Sequence, residues 1–194
     1  MTEVARIGVG PVAPLNTLAE EWRHASDGVV RSVPWFDPAS GGVEARVLVL
    51  FERPAASTIS DGDAGVSSED NRSPSSAVFA RARQDSGLSR TDYVRWNIIP
   101  WDSDSATRPP LFAELDEAGD ALHQLLGVLP RLRGIVTLGQ VALTGVMRYL
   151  TLHPDPIIRP VLAAPHPSPA NAHRRDELEL RIANALQRAM GTDW

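Results

Sequence analysis

The chain has 194 residues, 43% of them apolar, and a formal net charge of −5. That length and composition fit one globular domain, taken as residues 1–194, with a core of its own. Cysteine and lysine are both absent, so all 19 basic residues are arginine. This excludes disulfides, thiolate nucleophiles, cysteine-bound metal clusters, a P-loop and side-chain Schiff-base chemistry.

The first expected element is an amphipathic helix over Leu15 to His24, with Leu15, Leu18 and Trp22 at helical spacing. Pro34 to Gly42 reads as a turn-rich connector. Arg46 to Phe51 is a near-continuous apolar run, the pattern of a strand buried on both faces of a parallel sheet. Pro54 to Pro74 is polar, rich in Ser, Gly and Asp, and is expected to be a long mobile loop. Ser75 to Asp85 is expected to be helical and to end at Gly87. Tyr93 to Ile99 reads as the second strand, stopped by Pro100. A loop over Asp102 to Pro110 leads to a helix over Phe112 to Leu129, with Leu115, Ala118, Leu122, Leu125 and Leu126 on one face. Gly134 to Leu138 is the third strand, and a helix through Tyr149 follows it. Pro160 to Ala164 is the fourth strand, and Arg174 to Met190 the last helix, with Leu178, Ile182 and Leu186 inward.

Strands alternate with helices. The expected class is therefore α/β, a three-layer α/β/α sandwich around a central, mostly parallel four-stranded sheet. No apolar run approaches the ~20 residues that span a bilayer. Met1 to Arg6 lacks the basic start and apolar stretch of a secretory signal. A monomeric cytoplasmic protein is expected, with no membrane partner, no metal and no cofactor. The acidic balance exerts no general pull on a polyanion, so any nucleic-acid contact must come from a local basic face.

Ligands of open α/β sheets bind beyond the carboxyl ends of the strands. Three loops leave such ends here, at Glu52, at Asn97 and at His166. The most informative is His166-Pro167-Ser168-Pro169. Its prolines stiffen the backbone on both sides of the serine and histidine, so an imidazole is presented at little further entropic cost. The plain alternative is a Pro-rich turn with a surface histidine.

In chain order, Glu52-Arg53-Pro54, Trp96-Asn97-Ile98-Ile99-Pro100, Thr137-Leu138-Gly139 and His166-Pro167-Ser168-Pro169 resemble the motifs of the uracil-DNA glycosylase superfamily. The resemblance covers most of the chain from about Arg46 onward. The His-Pro-Ser-Pro element is its most specific part. The first motif departs from the family pattern: Glu52 and Pro54 fit, but Phe51 and Ala55 stand where glycines are usual. Having no cysteine, the chain resembles the branches without an iron–sulfur cluster.

The resemblance implies a monofunctional glycosylase that hydrolyses the bond between deoxyribose and uracil, or a related deaminated base. It assigns catalysis to His166 and Glu52. His166 would donate a hydrogen bond to the carbonyl oxygen where negative charge collects, and Glu52 would orient a water and stabilise the cationic sugar. Asn97 would read the base edge with its donor and acceptor. Phe51 and Pro54 would line the base pocket, Phe51 being one candidate for stacking beside Phe79, Trp96 and Trp101. Ser168, His173, Arg174 and Arg175 would hold the DNA backbone at the start of the last helix. Ala170-Asn171-Ala172 offers no bulky wedge, so the implied partner is uracil-containing DNA that is single-stranded or already destabilised. Two other readings use the same residues. One is a non-catalytic module that binds DNA or a nucleobase on this fold; the other is an unrelated small-molecule α/β enzyme built on His166 and Glu52.

Overall fold

A computed structural model of the chain describes residues 6–24, 28, 30–102 and 112–191. Its elements run α1 (Ala13–Arg23), β1 (Trp35–Phe36), β2 (Val47–Phe51), α2 (Ala56–Ser60), β3 (Val66–Ser67), α3 (Pro74–Ser86), β4 (Tyr93–Asn97), α4 (Phe112–Gly127), β5 (Gly134–Leu138), α5 (Gln140–Leu152), β6 (Val161–Ala164) and α6 (Arg175–Gly191). No helix among the described residues is long and apolar enough to cross a membrane.

All five residues of β2 are buried, as the apolar run requires of a strand covered on both faces. The main sheet has the order β4-β2-β5-β6, and every pairing in it is parallel. Helices α1, α4 and α5 cover one face; α3 and α6 cover the other. The architecture is the expected three-layer α/β/α sandwich. On α4, Leu115, Ala118, Leu122, Leu125 and Leu126 are all buried, as are Leu178, Ile182 and Leu186 on α6.

Local chemistry sets the element ends. The side chain of Ser73 caps α3 by accepting a hydrogen bond from the Ser76 N–H at 3.1 Å, and Pro74 takes the first helical position, where no N–H is needed. Gly87 closes the same helix at φ +74°, in the left-handed region that glycine enters without strain.

The stretch from Pro54 to Pro74 is not the open loop expected. It contains α2 and β3, and β3 pairs in parallel with β1 from the supposed connector. Its polar residues satisfy one another, which sequence periodicity does not register. Asn71 Nδ2 donates to Thr58 Oγ1 and to the Val66 carbonyl, Ser68 Oγ donates to Asp37 Oδ2, and Trp35 N–H donates to the Gly65 carbonyl. A six-residue 3-10 turn, Pro169–Arg174, precedes α6. From residue 103 to 110 the expected loop before α4 lies outside the described residues.

Candidate active site

Phe51 and Asn97 are direct partners in the β2–β4 register. Beyond them the two chains stay paired, with Ile98 N–H bonded to the Phe51 carbonyl and Ile99 N–H to the Glu52 carbonyl at 2.8 and 3.1 Å. The tips that carry Glu52 and Asn97 are thereby locked side by side. Asn97 is only 5% exposed, and its carboxamide makes no hydrogen bond to any described residue.

His166 follows β6, which is separated from β2 by β5. The imidazole nevertheless meets the Phe51 ring edge-on, centroids 5.7 Å apart at 88°. Gly139, at the tip of the intervening strand, permits this crossing. Its N–H donates to the Ala164 carbonyl at 2.9 Å, its φ is +98°, and a Cβ there would sit 3.0 Å from the His166 Cβ. A side chain at 139 would push the histidine away. The His166 carbonyl is held by two donors, the Ser168 N–H and Asn171 Nδ2, both at 2.8 Å. Asn171 therefore anchors the loop, and Pro167 is buried beneath it.

The aromatic candidates sort by burial. Phe51, Phe79 and Trp96 are 3%, 0% and 1% exposed. Phe51 packs against Phe79 and His166 as a floor under the strand tips, and Trp96 stacks on Phe36 on the opposite face of the sheet. Trp101 is half-buried beneath the Arg31 guanidinium. The first loop tolerates the loss of its glycines without backbone strain: Ala55 adopts φ −66°, ψ 143°, and no described non-glycine residue has a positive φ. Pro54 is half-buried just ahead of α2.

The Glu52 side chain is 39% exposed, and its Oε1 lies 3.9 Å from Arg53 Nε. Arg53 is tied to Glu114 of α4 at 3.2 Å. Burial pushes the Glu52 pKa up, and Arg53 opposes that. Burial lowers the His166 pKa, and the positive charge of Arg95 lowers it further. At neutral pH the site therefore holds an uncharged imidazole. Ser168 is half-buried; Arg174 and Arg175 are exposed. Arg175 has a loose contact of 3.9 Å with Glu179. Residue 173 falls in the 3-10 turn, but the side chain of His173 lies outside the described residues.

Sequence reasoning missed Arg95. It sits mid-strand on β4 with its guanidinium 4.2 Å from the Phe51 ring centroid. The available signal was a charged residue inside an otherwise apolar strand covered on both sides. A cavity of about 880 Å³ lies elsewhere, against α1, lined by Asn16, Glu20, Trp22, Trp35 and Gln124 among others. None of the residues singled out above at the strand tips contributes to it.

The fold is a parallel α/β sheet that carries Glu52, Asn97 and His166 at the carboxyl ends of its strands, the edge at which open α/β folds bind their ligands. The chain belongs to the uracil DNA glycosylase superfamily, whose family model matches residues 38–188. No curated protein sequence matches it significantly.

Proposed function

We propose that the protein is a monofunctional DNA glycosylase that removes uracil, or a related deaminated base, from DNA. The observation that carries this reading is Asn97, a residue 5% exposed at a strand tip whose carboxamide bonds no other described residue. Its nitrogen and oxygen are not among the sealed side-chain atoms without a partner, so the carboxamide keeps access to the crevice. A pyrimidine edge, with its alternating donors and acceptors, matches the donor and acceptor offered there.

The reaction breaks the C1′–N1 bond, whose electron pair leaves with the base. His166 donates an N–H to the base carbonyl oxygen as negative charge gathers there. A neutral imidazole suits this role, because it stabilises the anion without first losing a hydrating shell of its own. Glu52 orients the attacking water and accepts its proton as the oxygen bonds to C1′, while its charge stabilises the cationic sugar. The raised Glu52 pKa brings the carboxylate closer to a useful base strength. The departing base takes its proton from solvent, and the abasic site remains uncut because no lysine is present to open it.

Arg174, Arg175, His173 and Ser168, at the entrance to α6, would meet the phosphates. With Phe51 and Pro54 beneath the base and no wedge at residues 170–172, single-stranded or destabilised DNA is the expected substrate. The test is an oligonucleotide assay with a single uracil, in single and double strands, developed with alkali. Product that vanishes in His166→Ala and falls sharply in Glu52→Ala supports catalysis. Retained binding without product supports the non-catalytic module, a reading favoured by the altered first loop around Phe51 and Ala55. Xanthine- and hypoxanthine-containing strands then set the base preference.

A further inference from the structure

We propose that Arg95 is an electrostatic positioning residue of this site, a half-buried cation set behind Phe51 whose field favours negative charge in the crevice at the strand tips. The inference deepens the glycosylase reading and rests on it.

The geometry is unusual for an arginine. Arg95 lies mid-strand on β4 and faces α3, the same side of the sheet as Phe51 and Phe79, whose ring centroids lie 4.2 and 5.9 Å from its Cζ. One guanidinium nitrogen donates to the Ser68 carbonyl and to Ser76 Oγ, both at 2.9 Å. Its Nε is buried with no hydrogen-bond partner. No carboxylate lies within ion-pair distance of it among the described residues. The nearby acids are engaged elsewhere. Glu69 accepts from the Tyr93 hydroxyl and from Arg83, both at 2.8 Å, and Asp37 binds Arg90 at 2.7 Å. Holding a half-buried charge with a sealed Nε and no counter-ion is costly, and an apolar residue of similar size often serves stability better. Such a group is most readily explained by what its field does nearby.

What lies nearby is Phe51, and against Phe51 lies His166. The charged and titratable groups around the pair are few. On the Arg95 side they are Tyr93 on its own strand and Glu69 and Asp37 from the preceding loops. Among the described residues, the charge that acts on the His166 ring is Arg95. Burial takes the Arg95 pKa down only to about 10, so the guanidinium is charged at neutral pH. Its field disfavours a second positive charge on the imidazole and favours the anion that the base becomes as it departs. Arg95 touches neither base nor sugar; it acts through the low-dielectric layer formed by Phe51.

The test is Arg95→Met, which keeps the bulk and removes the charge. Single-turnover excision is measured on single-stranded DNA carrying uracil or 5-fluorouracil, the second being the better leaving group. Loss of the field should slow uracil release on the order of tenfold, slow 5-fluorouracil release less, and move the acid limb of the rate profile to higher pH. Equal slowing on both bases with an unmoved pH profile would mean a purely structural role and overturns the proposal. Imidazole NMR titration, with His166 assigned through His166→Gln, gives a readout independent of activity. In the wild-type protein alone, a His166 that titrates at or above the ordinary histidine value also overturns it, even where Arg95→Met does not fold. A wild type inactive on every base, with a His166 titration that still responds to Arg95→Met, fails the glycosylase reading and leaves the coupling standing.

Discussion

The two faces of the sheet obey different rules. On the α1/α4/α5 face the buried side chains are almost wholly apolar, and Trp96 lies flat on Phe36 with centroids 3.5 Å apart and Trp22 at 6.0 Å. On the α3/α6 face the same strand buries Tyr93, half-buries Arg95 and ends in the buried Asn97, with Phe51 and His166 beside them. Successive residues of one strand point to opposite faces, so β4 contributes apolar core to one layer and polar groups to the other. Polar groups are costly to bury, and a fold concentrates that cost where a ligand will use it.

The largest break in this comparison should come from Trp96→Ala. Emptying the aromatic stack on the apolar face should cost about 3–5 kcal/mol, read as a lower urea midpoint. His166→Ala, on the other face, should leave that midpoint nearly unchanged while excision falls on the order of 10²–10³-fold, as when a single donor to a developing anion is lost. Gly139→Ala should do both to a lesser degree. It forces a Cβ against His166 at a φ that L-residues avoid, so a stability loss of about 1–3 kcal/mol should accompany slower excision with little change in DNA binding.

A smaller effect sharpens the contrast through pH. His166 is held neutral in the folded protein because burial and Arg95 depress its pKa. The unfolded chain therefore takes up a proton at this residue first, and stability declines as the pH falls from about 6.5 toward the lower folded value. Above that window His166 contributes no pH dependence. The thermal midpoint should fall less steeply on acidification in His166→Gln than in the wild type. Smallest of all, Arg174→Ala and Arg175→Ala should each weaken DNA binding a few-fold and reduce the salt slope by about one.

Much of this was legible from the sequence. Four apolar runs alternating with amphipathic segments gave the strands of the main sheet and their covering helices, because burial on both faces leaves a dense apolar signature. The helix expected over Ser75 to Asp85, closed by Gly87, lies within a residue of α3 at each end. The structure of Pro54 to Pro74 was not legible, since it rests on hydrogen bonds such as Asn71 to Thr58 and Ser68 to Asp37 between residues distant in sequence. At the site, the strand tips bearing Glu52, Asn97 and His166 could be named from the pattern. That His166 reaches across an intervening strand depends on Gly139 lacking a side chain, a relation only coordinates supply. That Phe51 is only 3% exposed was also not legible, because its ring is fitted between Phe79 and the histidine by packing alone.

The small β1–β3 pair has a bearing on solubility. It flanks β4, at one border of the main sheet, and the Gly41 N–H and the Arg95 guanidinium tie that border to neighbouring segments at 2.9 Å each. The opposite border is β6, four residues long and bracketed by Pro160 and Pro165, which have no N–H to offer. One margin is occupied and the other is short and poor in donors, so a strand from another molecule finds little backbone on which to extend the sheet.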